Sequence, residues 1–303
     1  MADAGLRADR SGTDEIRRAA YRSIANARRM LAEGPLADTT VHDARKEIRK
    51  SRAAVRLLRV AMGGDRFQRE NARLRDAARA LNGARDAKVL VSTLESLRAS
   101  QPQLEADGAV LALSRHLRER QRLTRRELRK PAASIALARR TLEQTQFSAT
   151  QWPVGHGGWG KLGPAFRRVY AAGRQAALKS RCKNDDHQMH EWRKQVKYLR
   201  HALQLFEPLQ PAKLSRRAKL ARRLADNLGD ANDLAMLRQS LVSGGLPASS
   251  SIDMKSLLLA IDRRRRALRK QALALGAQVY AETPDELDRR LRRYWHRWRA
   301  GAQ

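Results

Sequence analysis

One helical segment of the amino-acid sequence occurs twice. The stretch VHDARKEIRKSRAAVRLLR, residues 41–59, recurs as MHEWRKQVKYLRHALQLFE at residues 189–207, a shift of 148 positions in a chain of 303. A histidine and four cations keep their register in the two copies: His42 matches His190, Arg45 matches Arg193, Lys46 matches Lys194, Arg49 matches Lys197 and Arg52 matches Arg200. A self-match at a fixed shift is the signature of an internal repeat. The chain is therefore predicted to be a duplicated unit, in which each copy carries a row of positive charge.

The spacing of these residues places the cations on one face of a helix. Positions 42, 45, 49, 52 and 56 advance by three and four, so they form one line, here called the cationic stripe, with its counterpart at 190, 193, 197 and 200. An apolar stripe runs beside each of them: Ala44, Ile48, Val55 and Leu58 in the first copy, and Trp192, Val196, Leu199, Leu203 and Phe206 in the second. Each motif helix is thus predicted to bury one face and to present cations about 5 Å apart on an adjacent face. Like charges at this spacing repel one another, and an anion lying along the stripe would relieve the repulsion.

The overall charge indicates a polyanionic partner. The formal net charge is +32, the sequence pI is about 11.5, and arginine outnumbers lysine by about four to one. Such a balance favours nucleic acid, an anionic membrane or an inorganic phosphate polymer. Guanidinium groups bind phosphate oxygens bidentately and lose hydration more easily than ammonium groups. A genome rich in GC would explain scattered arginines on solvated faces, but not cations kept in register between two repeats.

The compartment is predicted to be the cytoplasm. The single cysteine, Cys182, cannot form an internal disulfide and fits a reducing environment. The N-terminal residues MADAGLRADRSGTDE contain no apolar core of a signal peptide, and no apolar run approaches the roughly 20 residues of a membrane span.

The helical period of 3.6 residues dominates the whole chain and predicts an all-α protein. A set of nine long helices is expected, at about 14–33, 40–62, 66–99, 108–146, 161–181, 187–207, 211–243, 253–280 and 284–299. Thr40 with Asp43, and Asp186, are expected to cap the two motif helices. Residues 81–90, LNGARDAKVL, also resemble residues 228–237, LGDANDLAML, at a shift of 147.

The predicted organisation follows from this duplication. Residues 1–13 are expected to be a flexible N-terminus, 14–151 a first four-helix bundle, 152–160 a glycine-rich linker, and 161–303 a second bundle.

The doubled motif H-x-x-R-K-x-x-[KR]-x-x-R, followed in each copy by a segment similar to L-G-x-x-x-D, resembles the CHAD domain, the conserved histidine α-helical domain. The resemblance covers roughly residues 14–300. It implies two four-helix bundles related by a pseudo-twofold axis, with a basic surface and central groove that bind inorganic polyphosphate, and an association with polyphosphate granules. The chain departs from the pattern at Asn82, where the family has glycine, and at Asn232, which stands opposite Arg85 of the first copy. The two halves need not contribute equally to such a site.

The candidate polyphosphate-binding residues combine the two motifs with neighbouring cations: His42, Arg45, Lys46, Arg49, Arg52, Arg56, Arg75, Arg79, Arg85, His190, Arg193, Lys194, Lys197, Arg200 and Arg222. Asp86 and Asp233 are candidates for holding arginine side chains in place, or else ordinary surface carboxylates. Near a helix start, His42 and His190 either contact phosphate or pack between helices.

Other chemistry is not predicted. Residues 155–161 match the G-x-x-x-x-G-K spacing of a phosphate-binding loop, but Leu162 replaces the serine or threonine that holds Mg²⁺, and no strand precedes the loop. Asp185, Asp186, His187 and His190 do not complete a metal site. No E-x-E-x-K motif, serine nucleophile elbow or catalytic carboxylate pair is present, so a protein without enzymatic activity or cofactor is expected. Tyr294, Trp295 and Trp298 are expected to anchor the last helix. The alternative function is general binding of nucleic acid or other polyanions, although no known nucleic-acid-binding motif is present.

Overall fold

The computed structural model of the protein describes residues 5–32, 37–81, 86–101, 104, 108–127, 132–182, 185–243 and 254–301, and within them it is all-α. Twelve α-helices cover these ranges: α1 Gly12–Met30, α2 Asp38–Leu57, α3 Arg59–Met62, α4 Gly64–Ala80, α5 Asp86–Ala99, α6 Gly108–Glu127, α7 Ala132–Thr150, α8 Trp159–Cys182, α9 Asp186–Leu205, α10 Pro211–Val242, α11 Met254–Val279 and α12 Pro284–Ala300. A short 3₁₀ helix, Glu207–Leu209, follows α9. The predicted fold class is confirmed, and α2 and α9 are the two motif helices.

Three of the long helices expected from periodicity are divided. The predicted helix 40–62 consists of α2 and α3, with Leu58 between them. The predicted helix 66–99 consists of two helices: α4 ends at Ala80 and α5 begins at Asp86. The predicted helix 108–146 likewise consists of α6 and α7. The sequence Asn82-Gly83 disfavours helix. Helix α6 ends at Glu127, four residues before Pro131 in the sequence; a proline within a continuous helix would lack the backbone N–H and would clash with the carbonyl four residues earlier. Periodicity continues across such breaks because it reports only which face is apolar.

The expected caps of the motif helices were displaced. Helix α2 begins at Asp38 with Ala37 as N-cap, so Thr40 lies inside the helix. In α9 the cap is Asp185 rather than Asp186, because Asp185 has the extended backbone of a capping residue and its Oδ1 accepts the His187 N–H at 3.0 Å.

The apolar stripes of both motif helices are buried, as predicted. In the first copy, Ala44, Ile48 and Val55 of α2 and its C-cap Leu58 are fully buried. In the second copy, the fully buried residues are Trp192, Val196, Leu199 and Leu203 of α9 and its C-cap Phe206. They belong to one large hydrophobic cluster that also includes residues of α1, α4, α7, α8 and α12. A second cluster joins α5 and α6 to the C-terminal half of α10 and to α11. Each cluster therefore combines residues from both halves of the sequence, and the division into two bundles related by duplication stays a prediction.

The glycine-rich segment after α7 packs against the start of α1. The Thr13 hydroxyl donates to the Gly155 carbonyl at 2.8 Å and accepts the Gly157 N–H at 2.9 Å. Trp159, the first residue of α8, lies 6.0 Å from Trp295 between ring centroids. Trp295 is buried and Trp298 packs against the same core, which confirms that these aromatic residues anchor α12.

Within the described part of the chain, no helix is both long and apolar enough to cross a membrane.

Candidate anion-binding site

The two motif helices present their histidine and lysine in the same way. Each helix has 20 residues, and the histidine is the fifth, because α2 begins at 38 and α9 at 186. His42, Lys46, His190 and Lys194 are exposed. Lys46 pairs with Asp43 at 2.9 Å, and Lys194 pairs with Glu191 at 2.8 Å, three residues earlier in both cases. Both histidines therefore lie at the start of the second turn, one turn from the positive helix N-terminus that favours a bound anion.

His190 also makes a contact between helices. Its Nδ1 lies 3.0 Å from Oδ1 of Asn232 on α10. Since the amide oxygen can only accept, Nδ1 carries the hydrogen, and Nε2 is left for a second partner. The side chain is thus oriented by α10 while it remains exposed, so the two roles considered for this histidine are compatible.

Arg45 and Arg193 lie between helices rather than on the outer surface. The Arg45 Nη1 donates to the Leu81 carbonyl at the end of α4, at 3.2 Å. Arg193 is buried, and a Cβ added to Gly229 of α10 would approach its Nη2 to 3.4 Å. Asp233 lies 3.9 Å from the same Nη2, so this carboxylate is placed to hold the guanidinium. These two stripe residues therefore join each motif helix to the next long helix.

Part of the predicted set lies outside the residues that the structure describes. Arg85 is not described, and neither is the side chain of Asp86. The comparison of Arg85 with Asn232 therefore rests on sequence alone.

Cationic side chains of both α2 and α9 influence the pKa of His201, a residue that is not part of the sequence motif. Burial lowers the pKa of His201 from 6.5 to about 3; Gln204 opposes the shift through a 3.0 Å contact with Nδ1, and Arg200, Arg49 and Lys50 lower the pKa further. Arg49 and Lys50 belong to α2, whereas Arg200 belongs to α9. Cations from the stripes of both halves thus lower the pKa of the same histidine.

A stability measurement can test this assignment. The unfolded chain takes up a proton at His201 near pH 6.5, whereas the folded chain does so only near pH 3. The free energy of unfolding is therefore expected to fall as the pH is lowered from about 6.5 towards about 3. His201→Gln removes this titration, so urea unfolding of the variant should lose less stability over that interval than the wild type. Equal losses in the two proteins would contradict a neutral His201.

The C-terminal part of the first stripe stacks on the second motif helix. The Arg56 guanidinium carbon lies 3.7 Å from the centroid of the Tyr198 ring, and that of Arg52 lies at 5.6 Å. The Arg56 Nη1 donates to Asn71 Oδ1 of α4 at 2.8 Å, and the Arg52 Nε donates to the same oxygen at 3.3 Å. Burial lowers the pKa of Arg56 to about 10; the nearby Tyr198 opposes the shift, and Arg52 adds to it. The charge of Arg56 is thus held in a partly desolvated position between three helices.

Further cations border the stripe in each half. In the first, burial lowers the pKa of Arg52, and Arg75 and Arg79 on α4 lower it further against the opposing charge of Asp76. In the second, burial and Arg222 on α10 lower the pKa of Arg200, with Asp226 opposing. Burial and like charge both disfavour the charged forms, so an anion bound at these cations would stabilise them.

A cavity accompanies each motif helix near its histidine. The cavity beside α2 has a volume of about 430 Å³ and is lined by His42, Arg45, Lys46 and Lys88, with Asp43 among the remaining residues. The cavity beside α9 has a volume of about 540 Å³ and includes Asn232, the partner of His190, with arginines of α10 and α11. Sequence reasoning missed Lys88, Tyr198 and His201, because no spacing within one helix shows what a neighbouring helix contributes. The α11 arginines were visible only as a basic run.

The glycine-rich segment does not form a nucleotide-binding loop. Helix α7 precedes it, where a phosphate-binding loop requires a strand, and α8 begins at Trp159, within the motif. The prediction that no strand precedes this segment is confirmed.

Comparisons with known proteins give one family and one fold. The family model described as the CHAD domain matches residues 15–242. The crystal structure of the CHAD domain from the plant Ricinus communis is similar, with a TM-score of 0.54 and 18% identity, over 96% of this chain and 94% of that one. No curated protein matches the sequence.

Proposed function

Since the chain belongs to the CHAD domain family, we propose that it binds inorganic polyphosphate along the surface where α2 and α9 meet. The observation that carries the proposal is that cations of the two stripes lie close together. Arg49 of α2 and Arg200 of α9 both lower the pKa of His201, and Arg56 of α2 stacks on Tyr198 of α9. Partly buried guanidinium groups lose little further hydration when they bind phosphate oxygens.

At the contact between α2 and α9, the aromatic side chains favour polyphosphate over single-stranded nucleic acid as the ligand. Proteins that bind single strands stack bases on exposed aromatic rings. Here Trp152, Trp159, Trp192 and Trp295 are buried in the core, and Tyr198 is covered by Arg52 and Arg56. Polyphosphate has no base or sugar and needs only cations at close spacing, which the stripes supply.

The proposed activity is binding without hydrolysis, in the cytoplasm and at polyphosphate granules. Purified protein is expected to retain polyphosphate without releasing orthophosphate. Sustained orthophosphate production that disappears on substitution of a stripe residue would contradict this part of the proposal.

A competition experiment tests the choice of ligand. Long-chain polyphosphate should displace labelled duplex DNA and single-stranded RNA from the protein at matched phosphate concentration, because a thin chain can follow the contact between α2 and α9 and a duplex meets only the outer surface. Displacement would be measured by fluorescence anisotropy. Equal competition by DNA would favour the alternative function, general polyanion binding.

A further inference from the structure

The cavity beside α9 contains an arginine cluster that lies outside the two motifs. It is bordered by the start of α9, the C-terminal half of α10 and the middle of α11, and four arginines line it: Arg238, Arg265, Arg266 and Arg269. Its volume of about 540 Å³ far exceeds the roughly 30 Å³ share of one water molecule, so it has room for a phosphate group. Asn232, the partner of His190, also lines the cavity and connects it to the second cationic stripe.

A carboxylate already lies between two of these arginines. The Arg238 Nε lies 3.0 and 3.2 Å from the two oxygens of Asp262, and the Arg265 Nη1 lies 3.5 Å from one of them. The Arg265 Nη2 bonds Asp186 at the start of α9. Asp262 therefore occupies the position that a phosphate oxyanion would take between two guanidinium groups.

Charge balance distinguishes this cavity from the one beside α2. In the cavity beside α2, Asp43 is the one carboxylate among the lining residues, and it faces three cations: Arg45, Lys46 and Lys88. Beside α9, the four arginines face Asp185, Asp186 and Asp262. The positive charge of the second cavity is thus largely neutralised from within the protein.

One arginine of the cavity is not engaged in this network. Arg266 is exposed, and neither a hydrogen bond nor an ion pair joins it to any residue in the described ranges. It lines the same cavity as Arg238 and Arg265, so an anion bound at those two arginines would have a third cation within the cavity.

We propose that this cavity is a second phosphate-binding site, and that Asp262 competes with phosphate for Arg238 and Arg265. The proposal rests on the proposed function, because it assigns a further contact for the same polyphosphate chain. It implies that the two halves bind unequally, since three carboxylates line this cavity, whereas Asp43, paired with Lys46, is the one carboxylate that lines the cavity beside α2.

The first test removes the competing charge. Asp262→Asn keeps the shape of the side chain, and we expect it to tighten binding of inorganic tripolyphosphate by about two- to fivefold, the range that an exposed ion pair can contribute. Asp285→Asn is the matched control, because it removes one carboxylate from the exposed Arg167–Asp285 pair between α8 and α12. The control should change affinity by less. If Asp262 instead positions the arginines for the ligand, Asp262→Asn weakens binding, and the proposal is overturned.

The second test removes a cation that supports no internal ion pair among the described residues. Arg266→Gln should weaken tripolyphosphate binding more than Arg263→Gln, which removes the same charge from an exposed position of α11 outside the cavity lining. In the Asp262→Asn background, Arg266→Gln should also cancel the gain. Isothermal titration calorimetry gives the affinities, and thermal unfolding checks that each variant is folded.

The outcomes separate this inference from the proposed function. If the wild-type protein binds polyphosphate but each variant behaves like its control, only the second site is overturned. If the wild-type protein binds no polyphosphate, both proposals fail.

Discussion

Removing four cations from the contact between α2 and α9 is expected to weaken polyphosphate binding by about a hundred- to a thousandfold. The variant Arg49→Gln/Arg52→Gln/Lys197→Gln/Arg200→Gln takes two charges from each stripe, and all four side chains are half-buried. A low figure of roughly 1 kcal/mol for each charged contact comes to about 4 kcal/mol, which corresponds to nearly three powers of ten. Titration of labelled polyphosphate would measure the loss.

A second quadruple variant controls for net charge. Arg139→Gln/Arg140→Gln/Arg292→Gln/Arg293→Gln removes the same four charges from exposed positions of α7 and α12. Its affinity should stay much closer to that of the wild type, and circular dichroism should show the same helix content in both variants. Equal losses would mean that overall charge, rather than the stripes, governs binding.

Two double variants, each containing half of these four substitutions, test whether α2 and α9 contribute to one binding surface. Arg49→Gln/Arg52→Gln alone and Lys197→Gln/Arg200→Gln alone should each weaken binding, because both helices contribute to the charge around His201. Wild-type affinity in one of the two double variants would contradict a shared site. Arg193 is unsuitable for this purpose, since its side chain is buried against α10 and its loss would also disturb packing.

The second large effect is expected from salt. Binding by ion pairing releases counterions, and the affinity for nucleic acids falls with a slope of about 0.7–0.9 per neutralised phosphate in a plot of log affinity against log salt. With more than about five contacts, raising salt from about 50 to about 200 mM should lower the polyphosphate affinity at least about a hundredfold, although the coefficient for polyphosphate depends on its own charge density. Affinities measured across this range give the slope directly.

Lysine substitutions separate charge from geometry in the same experiment. Arg49→Lys/Arg52→Lys keeps both positive charges, so the salt slope should change little, whereas the affinity should fall because the bidentate guanidinium fork is lost. A slope that falls together with the affinity would show that the side chains no longer reach the ligand.

The sequence by itself determined the features that depend on one helix at a time. The 3.6-residue period gave the all-α class, and it separated the buried stripe of Ile48 and Val196 from the cationic stripe beside it. Leu162, together with the lack of a strand pattern before the glycine-rich segment, argued against a nucleotide-binding loop. These features follow from spacing along the chain, because the helix fixes which side chains share a face.

Periodicity predicted the ends of the helices less well than their buried faces. Asn82-Gly83 and Pro131 lie where predicted long helices divide, but an apolar period that continues on both sides conceals the interruption. The choice of Asp185 over Asp186 as a cap depended on backbone angles that neighbouring residues of the same type do not reveal.

Only the tertiary structure decided which faces meet. Tyr198 stacks under Arg56, His201 lies near cations of both motif helices, and Asp262 lies between two arginines because α2, α4, α9, α10 and α11 pack in a particular arrangement. The contacts that cross between helices join residues far apart in the sequence, from 24 positions for Arg238 and Asp262 to 152 for Arg49 and His201. Repetition at a shift of 148 showed that there are two stripes, but packing between helices determined that they converge, because burial of apolar surface is collective and non-directional whereas the motif is local.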